Sequence, residues 1–168
     1  YAADKLASEY YLVFYRRQHG LEPVILRFFN IYGPRQDPSS PYSGVISIFS
    51  ERAKAGRPIT LFGDGGQTRD FVYVADLVKI LVQGLECPAP AAAATNVGLG
   101  GVTTLNDLLG ALQPISGNPP QVTPGATRSC HIRHSNADNP RFRARLHLAT
   151  PSSLAARLAQ PSRSPSFS

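Results

Sequence analysis

The sequence predicts an α/β fold built on a parallel sheet, and three features carry that expectation. Residues 1–19 set Leu6, Tyr10, Val13 and Phe14 at helical spacing and stop at Gly20. Val24-Ile25-Leu26-Arg27-Phe28-Phe29 follows as a short run rich in strand formers, which reads as a buried parallel strand. Beyond it, short apolar strands and helices alternate along the chain.

Each element can be justified in order. The first strand ends in Asn30-Ile31-Tyr32-Gly33-Pro34-Arg35, a turn-rich loop. In open α/β sheets ligands sit beyond the carboxyl ends of strands, so Asn30 stands where a ligand contact is expected. Gly44 to Phe49 and Glu51 to Ala55 form a helix stopped at Gly56. Ile59-Thr60-Leu61-Phe62 is a brief strand closed by the tight turn Gly63-Asp64-Gly65-Gly66. Arg69 to Tyr73 is another strand, and Val74-Ala75-Asp76 opens a helix to about Glu86 with Asp76 suited to the dipole of its first turn. Pro88 to Ala94 is a low-complexity link, and Thr95 to Gly98 a short strand. Thr103-Thr104 can cap a helix from Leu105 to Leu112. Pro114 to Pro124 reads as loop, Ala137 to Leu148 as helix, and Pro151 to Leu154 as the start of a last short helix. Residues 161–168 are polar and expected to be disordered.

Composition narrows the class. The 168 residues are 42% hydrophobic, which suffices for a packed core. No run of about 18 apolar residues exists, so no membrane span is expected. The net charge is +6. Its excess lies beyond residue 127, where Arg128, Arg133, Arg141, Arg143, Arg145, Arg157 and Arg163 face Asp138 alone. An Arg-rich surface helix with a disordered end accounts for this better than a nucleic-acid site, because no recognition motif accompanies it. Cys87 and Cys130 are too few and too far apart for a disulfide scaffold, so a reduced cytoplasmic setting is the default. Cys130-His131-x-x-His134 lacks the remaining ligands of a metal site, and none is expected. The chain begins on Tyr1 and contains no Met, which reads as a piece of a longer protein.

Tyr1 and Lys5 are four apart in the first helix and share a face. A lysine ammonium near a phenol favours the phenolate and moves it toward general-base use near neutral pH. Taken alone the pattern is weak, and a half-buried Tyr beside a solvated Lys accounts for it better.

The stretches downstream add to it. Tyr1-Ala2-Ala3-Asp4-Lys5, Leu26 to Arg35, Phe62 to Gly65 and Thr68 to Asp76 occur in the order and spacing of a known family. They resemble the extended short-chain dehydrogenase/reductases, and within them the nucleotide-sugar 4-epimerases of the UDP-glucose type. The resemblance implies that residues 1–160 are the C-terminal part of a doubly wound Rossmann-type fold with a small α/β substrate-binding region. It implies NAD as cofactor, a UDP-sugar as substrate and a homodimer in the intact protein, with no nucleic-acid or membrane partner.

The same resemblance implies the roles. Tyr1 would be the base that takes the proton of the sugar 4-hydroxyl as hydride moves to NAD, and Lys5 would lower its pKa and bond the nicotinamide ribose. Phe28 would lie at the nicotinamide carboxamide. Asn30 would contact the sugar or diphosphate, and Gly44 and Val45 would offer backbone amides at a helix start. Thr60 and Phe62 would frame the uracil, and Arg69 would fork onto the diphosphate. Arg128 to Ser135 resembles the segment Arg-x-Gly-Asp-Ile-Arg-His-Ser, which makes Arg128 the second diphosphate arginine. The Gly-Asp of that segment is Cys130-His131 here, and a neutral His accepts one hydrogen bond where a carboxylate would hold both ribose hydroxyls. Ser135 falls where the sugar pocket varies in size, and a small residue there leaves room for a 2-N-acetyl group.

A Gly-rich turn for the cofactor pyrophosphate is not among these residues; Gly98-Leu99-Gly100-Gly101 comes too late in the strand order. The expectation is that these 168 residues alone neither hold NAD nor turn over. Two other readings remain: a nucleotide-sugar 4,6-dehydratase or reductase, and a non-catalytic remnant that binds a nucleotide-sugar.

Overall fold

A computed structural model describes residues 2–40, 42–86, 94–117, 119–127, 132–138 and 154–158. The first helix, α1 (Ala2–His19), leads to two three-residue strands, β1 (Leu26–Phe28) and β2 (Asn30–Tyr32). Helix α2 (Val45–Lys54) and strands β3 (Ile59–Phe62), β4 (Thr68–Arg69) and β5 (Phe71–Tyr73) follow. Next come helix α3 (Val74–Glu86), strands β6 (Thr95–Val97) and β7 (Thr103–Thr104), and helix α4 (Leu105–Ser116). The described elements end with β8 (Val122–Gly125), β9 (His134–Ser135) and a short helix α5 (Leu154–Leu158).

Pairing is mostly parallel, as the sequence predicts: β1 with β6, β2 with β5 and β3 with β8. Strand β4 lies between β7, antiparallel, and β9, parallel. The larger core is made where α2 (Ile46, Phe49, Ala53) and α4 (Leu105, Leu108, Leu112) cover Ile59 and Leu61 of β3. A second cluster joins Val72, Leu77, Ile80 and Val97 between β5, α3 and β6.

Five expectations are corrected. The run Val24–Phe29 is not one buried strand: β1 ends at Phe28, and β2 begins at Asn30. The chain changes partner between them, Phe29 N–H donating to Val97 O (3.1 Å) and Asn30 N–H to Asp70 O (3.2 Å). Only Ile25 of that run is buried, because Arg27 turns out to Glu9 of α1 and Phe28 is 50% exposed. The expected strand Arg69–Tyr73 is likewise split at Asp70, where pairing passes from β9 to β2. Asn30 to Arg35 is not loop throughout, since β2 runs to Tyr32.

Pro114–Pro124 is not loop either. Helix α4 continues through Pro114 to Ser116, carried by the fully buried Leu108 and Leu112, and stops at left-handed Gly117 (φ 73°). Strand β8 then pairs with β3. Ala137 and Asp138, expected to open a helix, are not helical; residues 139–148 and the tail 161–168 lie outside the described residues.

Candidate functional site

Asn30, Arg69 and Ser135 come together at the two strand breaks. Arg69 is in register with Ser135 across β4 and β9. Asn30 donates its Nδ2–H to the carbonyl of Asp70 at 3.2 Å, the residue next to Arg69. All three side chains are half-buried. Arg69 Nη1 donates to Thr68 O (2.7 Å) and Arg133 O (3.4 Å), which anchors one side of the guanidinium. Burial lowers its pKa somewhat, as it does for any partly desolvated cation, and Arg69 stays charged. Among the described residues no acceptor takes its Nε or Nη2, so that edge is available to fork onto an anion.

A flat ledge lies on the neighbouring pair β3 and β8. Ile59 and Leu61 point into the core, so Thr60 and Phe62 occupy the opposite face. Thr60 Oγ1 stands 3.4 Å from Thr123 Oγ1, and the Phe62 ring lies against Gly125, where any side chain would collide with it. Buried Gln67 ties this ledge to β4 by donating to Phe62 O at 2.9 Å. Gly44 is the N-cap of α2 with extended backbone (φ −69°, ψ 155°), and Val45 is its first helical residue. No side chain caps this helix start, which lies beside Ile31 of β2, so its first-turn N–H groups have no side-chain acceptor at the N-cap.

Lys5 is on exposed α1 one turn before Glu9, and Glu9 grips Arg27 of β1 through both oxygens (2.6 and 2.7 Å). That pair holds α1 beside the strand that ends in the half-exposed Phe28 ring. Lys5 and Phe28, the residues expected at the nicotinamide end, thus lie on α1 and on the strand it is tied to, and an ammonium and a half-exposed ring are groups that could hold a nicotinamide and its ribose. Tyr1, Arg128, Cys130 and His131 lie outside the described residues.

Sequence reasoning missed three features. Asp70, which could equally have been a surface partner of Arg69, is fully buried and receives three backbone N–H groups. Its signal was a carboxylate in the middle of a stretch expected to be strand, directly before Phe71-Val72-Tyr73. Gly125 seats the Phe62 ring, which only the β3–β8 pairing reveals. A cavity of about 240 Å³ lies apart from the ledge, lined by Tyr32, Tyr73, Asp76, Leu99 and Thr103. Arg157 of α5 closes on it, stacking over the Tyr73 ring at 4.7 Å and pairing with Asp76 at 3.3 Å.

Residues 1–98, more than half of the chain, match the NAD dependent epimerase/dehydratase family. The chain belongs to that family. A UDP-glucose 4-epimerase of Mycolicibacterium smegmatis is 41% identical over 143 residues, 85% of this chain and 45% of that protein. Among solved structures, the UDP-glucose 4-epimerase of Thermotoga maritima with UDP-glucose superposes at a TM-score of 0.85 and 35% identity, covering 94% of this chain and 50% of that one. A UDP-N-acetylglucosamine 4-epimerase of Methanobrevibacter ruminantium, solved with UDP-N-acetylmuramic acid, gives a TM-score of 0.85 at 33% identity over 94% of this chain and 50% of its own. The chain spans about half the length of these epimerase relatives. They are Rossmann-type proteins, and the α/β architecture with parallel strand pairs found here is part of that fold.

Proposed function

We propose that the whole protein is an NAD-dependent nucleotide-sugar 4-epimerase acting on the UDP-glucose/UDP-galactose pair or its N-acetylhexosamine counterpart. The convergence of Asn30, Arg69 and Ser135 at one strand junction beside the Thr60–Phe62 ledge carries this reading. Arg69 meets the diphosphate with its open edge, helped by Arg128 and by the first-turn amides at Gly44 and Val45. Thr60 and Phe62 frame the uracil. Asn30 contacts the sugar or diphosphate. Ser135 is small enough to leave space for the sugar to turn over and for a 2-N-acetyl group.

NAD, when bound, supplies a hydride acceptor at the sugar C4 that is restored at the end of the cycle. Lys5 and Phe28 are the described residues that would hold its nicotinamide end. Tyr1 takes the proton of the 4-hydroxyl and later returns it, and the Lys5 ammonium makes its phenol acidic enough to do so near neutral pH. The protein works as a cytoplasmic homodimer. Leu6, Tyr10 and Phe14 are exposed on α1, and such a face suits a helix–helix contact between subunits. Residues 1–160 are the C-terminal portion of the catalytic domain and 161–168 a tail; by themselves these 168 residues retain no NAD and do not turn over.

The test is an assay of the whole protein on UDP-galactose and UDP-N-acetylgalactosamine. Interconversion with the 4-epimer is expected, and Tyr1→Phe should lower kcat by on the order of a thousandfold with little change in KM. A 4-keto-6-deoxy product would replace this reading by a dehydratase. UDP-sugar binding without turnover would replace it by a binding protein.

A further inference from the structure

We propose that Asp70 is a positioning residue for the substrate site, holding Asn30, Arg69 and Ser135 in mutual register through a buried carboxylate wrapped by the 98–101 turn. This rests on the epimerase reading above and deepens it.

Asp70 is 0% exposed. Burying a carboxylate is costly unless hydrogen bonds replace its water. Here they do. Oδ1 accepts from Leu99 N–H at 3.0 Å, and Oδ2 from Gly100 N–H at 2.9 Å and Ala137 N–H at 3.2 Å. All three donors are backbone groups, and among the described residues no ion pair joins this carboxylate.

That accounts for Gly98-Leu99-Gly100-Gly101, a glycine cluster without a role in the cofactor half of the site. Gly100 has φ 70°, which opens successive N–H groups toward an anion. A Cβ at Gly98 would run into both Asp70 Oδ2 and Ala137 Cβ, so the turn can close on the carboxylate only as glycine. The anion this turn holds is internal.

The Asp70 backbone reaches the site. Its carbonyl accepts both the N–H and the Nδ2–H of Asn30, each at 3.2 Å. Its N–H donates to Ser135 O at 3.0 Å, and Arg69 precedes it in the chain. A parallel ring supports the same junction: Thr68 Oγ1 donates to Asn136 Oδ1 (2.8 Å), and Asn136 Nδ2–H to Gly101 O (2.6 Å). Four segments therefore meet on one residue, and the three proposed substrate contacts are each one bond from it. None of these bonds involves α1, which carries Lys5.

Asp70→Asn tests this in the whole protein. The amide keeps one acceptor and turns an NH2 toward at least one backbone N–H. The expected result is a KM for UDP-galactose raised about tenfold, with kcat changed by less than about threefold. A general loss of structure would lower kcat and the active fraction without that split. A folded variant with unchanged KM overturns the proposal. Should the variant fail to fold, the wild-type protein decides. Coupling predicts that adding UDP-galactose slows hydrogen exchange at the Leu99, Gly100 and Ala137 amides, and unchanged rates overturn it. A wild-type protein that neither binds nor turns over UDP-sugar overturns the epimerase reading and this inference with it.

Discussion

Gly125 shows how much a single hydrogen atom can decide. The Phe62 ring reaches across β8 at that position, and a Cβ built there would lie 2.7 Å from Cδ1, 3.0 Å from Cε1 and 3.0 Å from Thr60 Cγ2. The backbone of Gly125 is not left-handed, so alanine is conformationally admissible and the ring must yield instead. Gly125→Ala should therefore swing Phe62 off the ledge. The expected outcome is UDP binding about tenfold weaker by calorimetry, with a stability loss of about 1–2 kcal/mol typical of overpacking. Unchanged UDP affinity would mean that Phe62 does not carry the base. Phe62 and Thr60 were legible from the chain as neighbours on one strand face. Gly125, 63 residues later, was not, because nothing local to β8 announces its partner.

Elements whose limits are set locally were the legible ones. Helix α3 spans Val74–Glu86 and strand β3 spans Ile59–Phe62, as their patterns of apolar residues and flanking turns predict. The cap at Thr104 was also legible, and it forms fully. Thr104 Oγ1 accepts the Asp107 N–H at 3.0 Å, and Asp107 Oδ2 accepts the Thr104 N–H at 3.0 Å and its hydroxyl at 2.6 Å. These bonds hold the Asp107 carboxyl below the usual aspartate range. Thr104 also ends β7 in register with Thr68, so the cap fixes where α4 leaves the sheet. Thr104→Ala should cost about 1 kcal/mol in urea unfolding. A loss near zero would show that burial of Leu105, Leu108 and Leu112 positions α4 without its cap. The same three leucines explain why Pro114 misled: tertiary burial carries the helix past a residue that local preference treats as a stop. Strand breaks at Phe29 and Asp70 escaped the sequence for a related reason, since each marks a change of partner between strands distant in the chain.

For the molecule as a whole, the junction of α5 with β2, β5 and the start of α3 is where alkaline pH acts on stability. Helix α5 packs Leu154 and Leu158 against the larger core, and Arg157 joins Asp76 at the start of α3. Tyr32, at the end of β2, is 7% exposed within that junction, its ring 5.5 Å from that of Tyr73. Burial pushes the Tyr32 phenol up to about 12; Arg157 opposes this, and Asp76 and Tyr73 add to it. In the unfolded chain the phenol ionises near 10. The native state therefore holds the proton more tightly than the unfolded state. Its contribution is fully present below about pH 10 and lost as pH rises through about 12. A difference of about 2 units corresponds to at most about 3 kcal/mol across that window. Tyr32→Phe keeps the ring and removes the titration. The variant should match the wild type within about 1 kcal/mol at neutral pH in urea unfolding, and lose less stability between about pH 10 and 12. Identical alkaline slopes would mean that water reaches the Tyr32 hydroxyl through the adjoining cavity and keeps its phenolate solvated.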